Sequence, residues 1–178
     1  MITESSTKPS SFSLRNLLQE QTRDLYDAEN SYCDFLGKMM QTTTNAELAE
    51  ELASIATDSR SNIADLEDIC NFLEVPSEGI KCHAMAGLLR EAKEITDVYE
   101  CSSVKDAALI ANAQRIAHYE IAGFGTAKAF AVQLKLPKVE ALFSDLLVRA
   151  SKADKALTKI AVGSWLTSGI NNLAAAGN

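Results

Sequence analysis

The stretch EVPSEGIKCHAMAGLLREAKEITDVYECS, residues 74–102, decides the fold. It opens with Pro76 and Gly79, which end any preceding helix. It then carries a short amphipathic pattern over 84–98, with Met85, Leu88, Leu89 and Ile95 on one face. Far longer helical patterns lie on either side. The first begins at Ser13, a residue suited to capping, and repeats through Leu14, Leu18, Leu25, Tyr32, Leu36 and Met39. It stops at QTTTN (41–45), where Asn45 can cap a second helix over 46–73. A third starts near Ser103, with Asp106 three residues on as a capping-box partner, and ends at LKLPK (134–138). Pro137 suits the first turn of a fourth helix, which runs through Leu142, Leu146, Leu157 and Ile160 to Trp165.

Each long helix of about 28 residues measures about 42 Å at 1.5 Å per residue. The two short links make helices one and two, and three and four, antiparallel hairpins. The 74–102 segment is long enough to run back along the bundle, so the third helix points the same way as the second. The expected fold is therefore all-α, a ferritin-like four-helix bundle of two hairpins joined by a crossover carrying a short extra helix. Residues 1–12 are expected as an arm, 13–165 as the bundle and 166–178 as a loose tail.

Composition narrows the partners. A net charge of −7 gives no basic surface for phosphate backbones or anionic lipids, so neither nucleic acid nor membrane is expected. No apolar run reaches the 18 residues of a membrane span and the opening residues contain no apolar signal core, so the expected location is cytoplasmic. Of four cysteines, Cys33 and Cys70 sit on apolar stripes and read as small buried hydrophobes, while Cys82 and Cys101 flank the crossover helix and are able to pair.

The chemistry lies where acids interrupt the apolar stripes. Glu29, Asp58, Glu120 and Asp154 fall one per long helix among core-type neighbours. A buried carboxylate is costly unless paired, protonated or metal-bound, and several converging in one core call for a shared neutralising partner. Iron or manganese would serve, but so would Arg149 or Lys152 without any metal. His118 is two residues from Glu120, hence on another face, and reads as a boundary residue. Glu-x-x-His, which di-iron bundles take from two of their helices, is absent throughout. No nucleophile–base pair or glycine-rich phosphate loop is present either.

The segments LYDAEN (25–30), KCHAMAGLLREAKE (81–94) and DAALIANAQRIAHYEIAGFGT (106–126) closely resemble the YciE/YciF-type stress-protein family, over roughly residues 13–162. The resemblance implies a ferritin-like fold, a bacterial cytosolic protein and a homodimer, with an association to stress but no settled activity. It places metal carboxylates at Glu29 and Glu120, which are intact. The family's E-T-x-x-H of the second helix becomes Asp58, Ser59 and Asn62; the acidic run of the fourth becomes Val148, Arg149 and Ala150, ahead of the matching Asp154; and the glutamate before HYE becomes Ala117. These departures remove ligands and add a cation. The expected function is a non-enzymatic, stress-associated bundle without cofactor, whose site has become a polar network; the alternative is a protein binding one or two Fe or Mn ions with oxidation-protective activity.

Overall fold

The computed structural model describes residues 12–98, 100, 102–165 and 167–176. The expected arm at 1–12 lies outside the described residues except for Phe12. Six helices follow in order: α1 (Leu14–Thr42), α2 (Ala46–Leu73), α3 (His83–Val98), α4 (Ser103–Gln133), α5 (Pro137–Val162) and α6 (Ile170–Ala176). No strand occurs among the described residues, and no helix is long and apolar enough to cross a membrane.

Side-chain contacts fix the directions. Gln19 reaches Leu73, Tyr26 reaches Glu67 and Glu29 reaches Asn62, so α1 and α2 are antiparallel. Gln114 meets Thr158 and Lys128 meets Ser144, so α4 and α5 are antiparallel as well. Across the hairpins, Asp24 accepts from Tyr119 while Asp106 accepts from Thr43, which sets α4 antiparallel to α1 and therefore parallel to α2. That is the expected ferritin-like connectivity, with the crossover returning the chain along the bundle.

Local chemistry explains the helix ends. Ser13 and Asn16 form a reciprocal capping box on α1, Asn45 caps α2, and proline opens α5. The capping of α4 differs from expectation. Ser102, not Ser103, is its N-cap, and Asp106 is not spent on the helix. Its buried carboxylate instead accepts from Thr43 Oγ1 (2.6 Å), Thr44 N (3.1 Å) and Thr44 Oγ1 (2.6 Å), fastening the α1–α2 turn to the start of α4. The spacing was right for a capping box, but the threonine-rich turn offered the stronger set of donors.

The C-terminal end also differs. The fourth long helix stops at Val162, and Trp165 is 91% exposed instead of joining an apolar stripe. Residues 170–176, expected as loose tail, form α6, whose Ile170 is buried where it packs on α4 and α5. The turn between them requires two glycines. A Cβ on Gly163 (φ +74°) would lie 2.3 Å from the Gly169 nitrogen, and one on Gly169 would lie 2.3 Å from the Val162 carbonyl carbon.

The core has two apolar halves. One gathers Tyr32, Leu36 and Met39 of α1 with Leu48, Leu52, Ile55, Leu109, Ile116 and Leu157. The other gathers Leu18, Leu25, Leu66, Ile69, Phe124 and Phe143. Between them, on α1, α2 and α4 alike, the sequence switches to polar: Glu29, then Ser59 and Asn62, then Glu120.

Candidate functional site

This mid-bundle layer holds the only carboxylates that converge in the core among the described residues, and it is buried. Glu29 is 1% exposed, Glu120 6%, Ser59 2% and Asn62 4%. Both oxygens of Glu29 are engaged: Oε2 accepts from Ser59 Oγ at 2.6 Å and Oε1 from Asn62 Nδ2 at 3.1 Å. Asn62 fits because an amide donates and accepts at once. Its Oδ1 accepts from Arg149 Nε at 2.6 Å, and the same guanidinium pairs through Nη2 with Asp65. The chain of contacts therefore runs from a half-buried ion pair on α2 and α5 to the carboxylate of α1.

Glu120 completes the layer, its carboxyl close enough to Glu29 for each to shift the other's ionisation. Burial raises both carboxyls above the usual range. Glu29 is pushed up to about 7, held from going higher by its bonds to Ser59, Asn62 and Glu120 and by the Arg149 charge. Glu120 is driven well above its ordinary value by burial, with the Glu29 carboxylate beside it adding to the effect. Two carboxyls in contact in a low-dielectric core share a proton rather than both ionise. Tyr32, fully buried next to them, is likewise pushed up by burial and by the two glutamates, so it remains a neutral phenol.

The four expected site residues thus part company. Glu29 and Glu120 meet. Asp58 is half-buried and lines the small cavity beside them, together with Ile55, Ala150 and Ala153. Asp154 lies elsewhere, against Gln114 Nε2 at 3.2 Å and His118 Nε2 at 3.3 Å on the α4–α5 surface, where His118 is the boundary residue expected. One residue further round α5, Ala153 takes the inward position.

The donor set does not fit a two-metal centre. The groups nearest the glutamates are an amide NH2, a hydroxyl and a guanidinium; two of these present only hydrogens, and the last is itself a cation. The cavity offers about 10 Å³ to the centre of a water-sized particle, about one water's worth. Among the described residues no group of three or more His, Cys, Asp or Glu stands close enough to hold a metal ion.

A second polar cluster was not foreseen. Tyr119 donates to Asp24 Oδ2 at 2.7 Å and lies 3.0 Å from Cys82 Sγ, while the Cys82 backbone N–H donates to Asp27 Oδ2 at 2.8 Å. It clips the entry of the crossover to α1 and α4. Cys82 is a buried free thiol pushed up by its burial, so it stays protonated. Cys101, the cysteine across the crossover helix from it in sequence, lies outside the described residues. Cys70 is buried as expected, whereas Cys33 is half-buried. Replacing Tyr119 by Phe leaves Asp24 short of a charged-group hydrogen bond and is expected to cost about 2 kcal/mol, read by urea denaturation followed through helical circular dichroism. An unchanged midpoint would show that the clip contributes nothing.

The partners of Glu29 are legible in the sequence, as the second-helix departures from the family's E-T-x-x-H. Ser59 and Asn62 occupy buried positions three apart on α2, and a polar pair there, level with an acid across the hairpin, signals a bonded set. Asp24 and Asp27 had no such signal, because their partners come from the crossover and α4.

A family model described as a domain of unknown function (DUF892) matches residues 13–170. Protein YciF of Escherichia coli (strain K12) is 33% identical over 140 residues, 78% of this chain and 84% of that protein. The crystal structure of the E. coli stress protein YciF superposes with a TM-score of 0.82 at 30% identity, over 85% of this chain and 96% of that one. YcfI from Rhodopseudomonas palustris superposes with a TM-score of 0.81 at 31% identity, over 86% and 98%.

Proposed function

Because the chain belongs to the DUF892 family, which its similarity to the stress protein YciF accompanies, we propose that it is a stress-associated, non-enzymatic bundle protein that works as a cytoplasmic homodimer and keeps a proton, not a metal, at its core carboxylates. One observation carries the reading. Both oxygens of Glu29 are already taken by Ser59 and Asn62, and Asn62 is itself held by Arg149, so the glutamate that would anchor an ion is spent on the protein. Fe(II) or Mn(II) would have to displace these bonds and accept a guanidinium close by, against its own charge.

Calorimetric titration of the purified protein with Fe(II), Mn(II) and Zn(II), combined with elemental analysis, tests it. The expected result is no stoichiometric ion and no binding heat that Glu29→Ala abolishes. A stoichiometric ion lost in that variant, or an iron-oxidation rate above the protein-free control, would replace this reading with the metal-binding one.

A further inference from the structure

Helix α3 lies antiparallel along α4 and is fastened at its two ends. At the start, Cys82 Sγ lies 3.0 Å from the Tyr119 hydroxyl and caps the helix by accepting from Met85 N at 3.4 Å, while Cys82 N donates to Asp27. At the far end Lys105 Nζ donates to the Thr96 carbonyl at 2.8 Å, and Asp97 pairs with Lys38 of α1. Positions 82 and 96 thus match positions 119 and 105, so the two helices run in step and residue 112 of α4 is level with residue 89 of α3. On α4, residues 105, 112 and 119 are seven apart, two helical turns each, and share the face turned to α3. Residue 112 is an asparagine, 2% exposed. Its Oδ1 accepts from Arg115 Nη1 at 2.9 Å, but its Nδ2 is enclosed and meets no acceptor among the described residues. At that level α3 presents Leu88, Leu89 and Ala92, whose side chains have no acceptor to give. A buried donor left unpaired carries its full desolvation cost, which is recovered when water reaches it. Little else holds the middle of α3. Only Met85, Ala92 and Thr96 of its 16 residues are buried, and the Arg115–Glu91 pair above Asn112 is exposed.

We infer that α3 is a strap that opens as a unit while the two helical hairpins stay folded, its closure secured by the clips at its ends and opposed by the unpaired amide of Asn112 under its middle. The hairpins do not need it to stay together: α1 with α2, and α4 with α5, bond directly to each other. Opening hydrates Asn112, uncovers the Cys82 thiol, and exposes Leu88, Leu89 and Ile95, which in the closed form pack on the core. Segments with few buried contacts are the first to open in a folded protein, and here the mispaired level adds a bias of its own. The consequence is a device for showing an apolar stripe under mild thermal or chemical stress, before the core of the bundle is lost.

Thiol modification of the full chain by N-ethylmaleimide, resolved by peptide mass spectrometry, tests the strap, with Cys82 as reporter and Cys70 as internal control. Both thiols are 1% exposed, but Cys70 lies inside α2 and is reached only when the hairpins come apart. Cys82 is expected to react at least about 10-fold faster than Cys70, and backbone amides of α3 to exchange hydrogen faster than those of α2 by a similar factor. Two variants test the cause. Asn112→Leu removes the unpaired donor, and Leu89→Gln offers it an acceptor; each is expected to slow modification of Cys82 about 5-fold. Slowing in either variant supports the role of the amide, since a substitution that merely disturbed packing would speed the reaction. Equal rates at Cys82 and Cys70, α3 amides as protected as those of α2, or faster modification of Cys82 in both variants would each overturn the proposal.

Discussion

Asn62→Leu is expected to lower stability by about 3 kcal/mol, although leucine fits the volume and suits an apolar core. The side chain carries two bonds to charged groups, one to each side of the layer. Without it, Glu29 Oε1 loses its donor and Arg149 Nε its acceptor, both where solvent is scarce. Arg149 keeps Asp65 and partial access to water, which limits its share of the loss. Most of the effect therefore falls on the fully enclosed carboxylate. For a chain of this size the change corresponds to a fall of about 9 °C in melting temperature, measurable by circular dichroism at 222 nm. A loss under about 1 kcal/mol would mean that the amide merely fills space and that Glu29 does not depend on it.

Raising the pH should destabilise the protein, which is the reverse of the usual carboxylate behaviour. The folded state holds Glu29 at about 7, against an ordinary value of 4.5, so the folded protein binds a proton that the unfolded chain has released. The associated stability is complete below pH 4.5 and is lost as pH rises through the folded-state value. At 1.36 kcal/mol per unit, the Glu29 contribution is about 3 kcal/mol, falling away between about pH 5 and 8. Glu120, raised by burial as well, titrates in the same direction and adds to the decline. Urea midpoints measured from pH 5 to 9 should therefore slide downward. Glu120→Gln keeps a hydrogen-bond donor toward Glu29 while removing one titration, so the variant should match the unmodified protein near pH 6 and exceed it at pH 9. Parallel pH profiles for the two proteins would show that Glu120 is not the proton carrier.

The fold was legible because it rests on lengths and stripes. Two short links and one long one leave few topologies for four helices of similar size, and the residues at 74–102 declared the crossover through Pro76 and Gly79. The site was only half legible. Glu29 and Glu120 stood out because a single acid inside a continuous apolar stripe is expensive, and each pointed inward as its neighbours required. Asp154 resembled them in one dimension, yet α5 presents Ala153 at that level and turns the aspartate toward His118 and Gln114. A shift of one residue is 100° on a helix, which apolar spacing alone does not resolve when both neighbours are small. Asp106 shows the same limit from another side: its helical position suited a cap, while the threonines that claimed it lie more than 60 residues away in sequence. Pairings made across helices depend on rotation about each axis, and that is settled by packing of the whole bundle.

The turn between α5 and α6 has a practical corollary. The protein's single tryptophan stands on it, 91% open to solvent, while the core is lined by phenylalanine, tyrosine and aliphatic residues. Its indole already emits from water in the native molecule, so intrinsic fluorescence should change little as the helices melt. A flat fluorescence trace would then coexist with full loss of ellipticity, and the same indole would remain a quiet optical label for events at that end of the bundle.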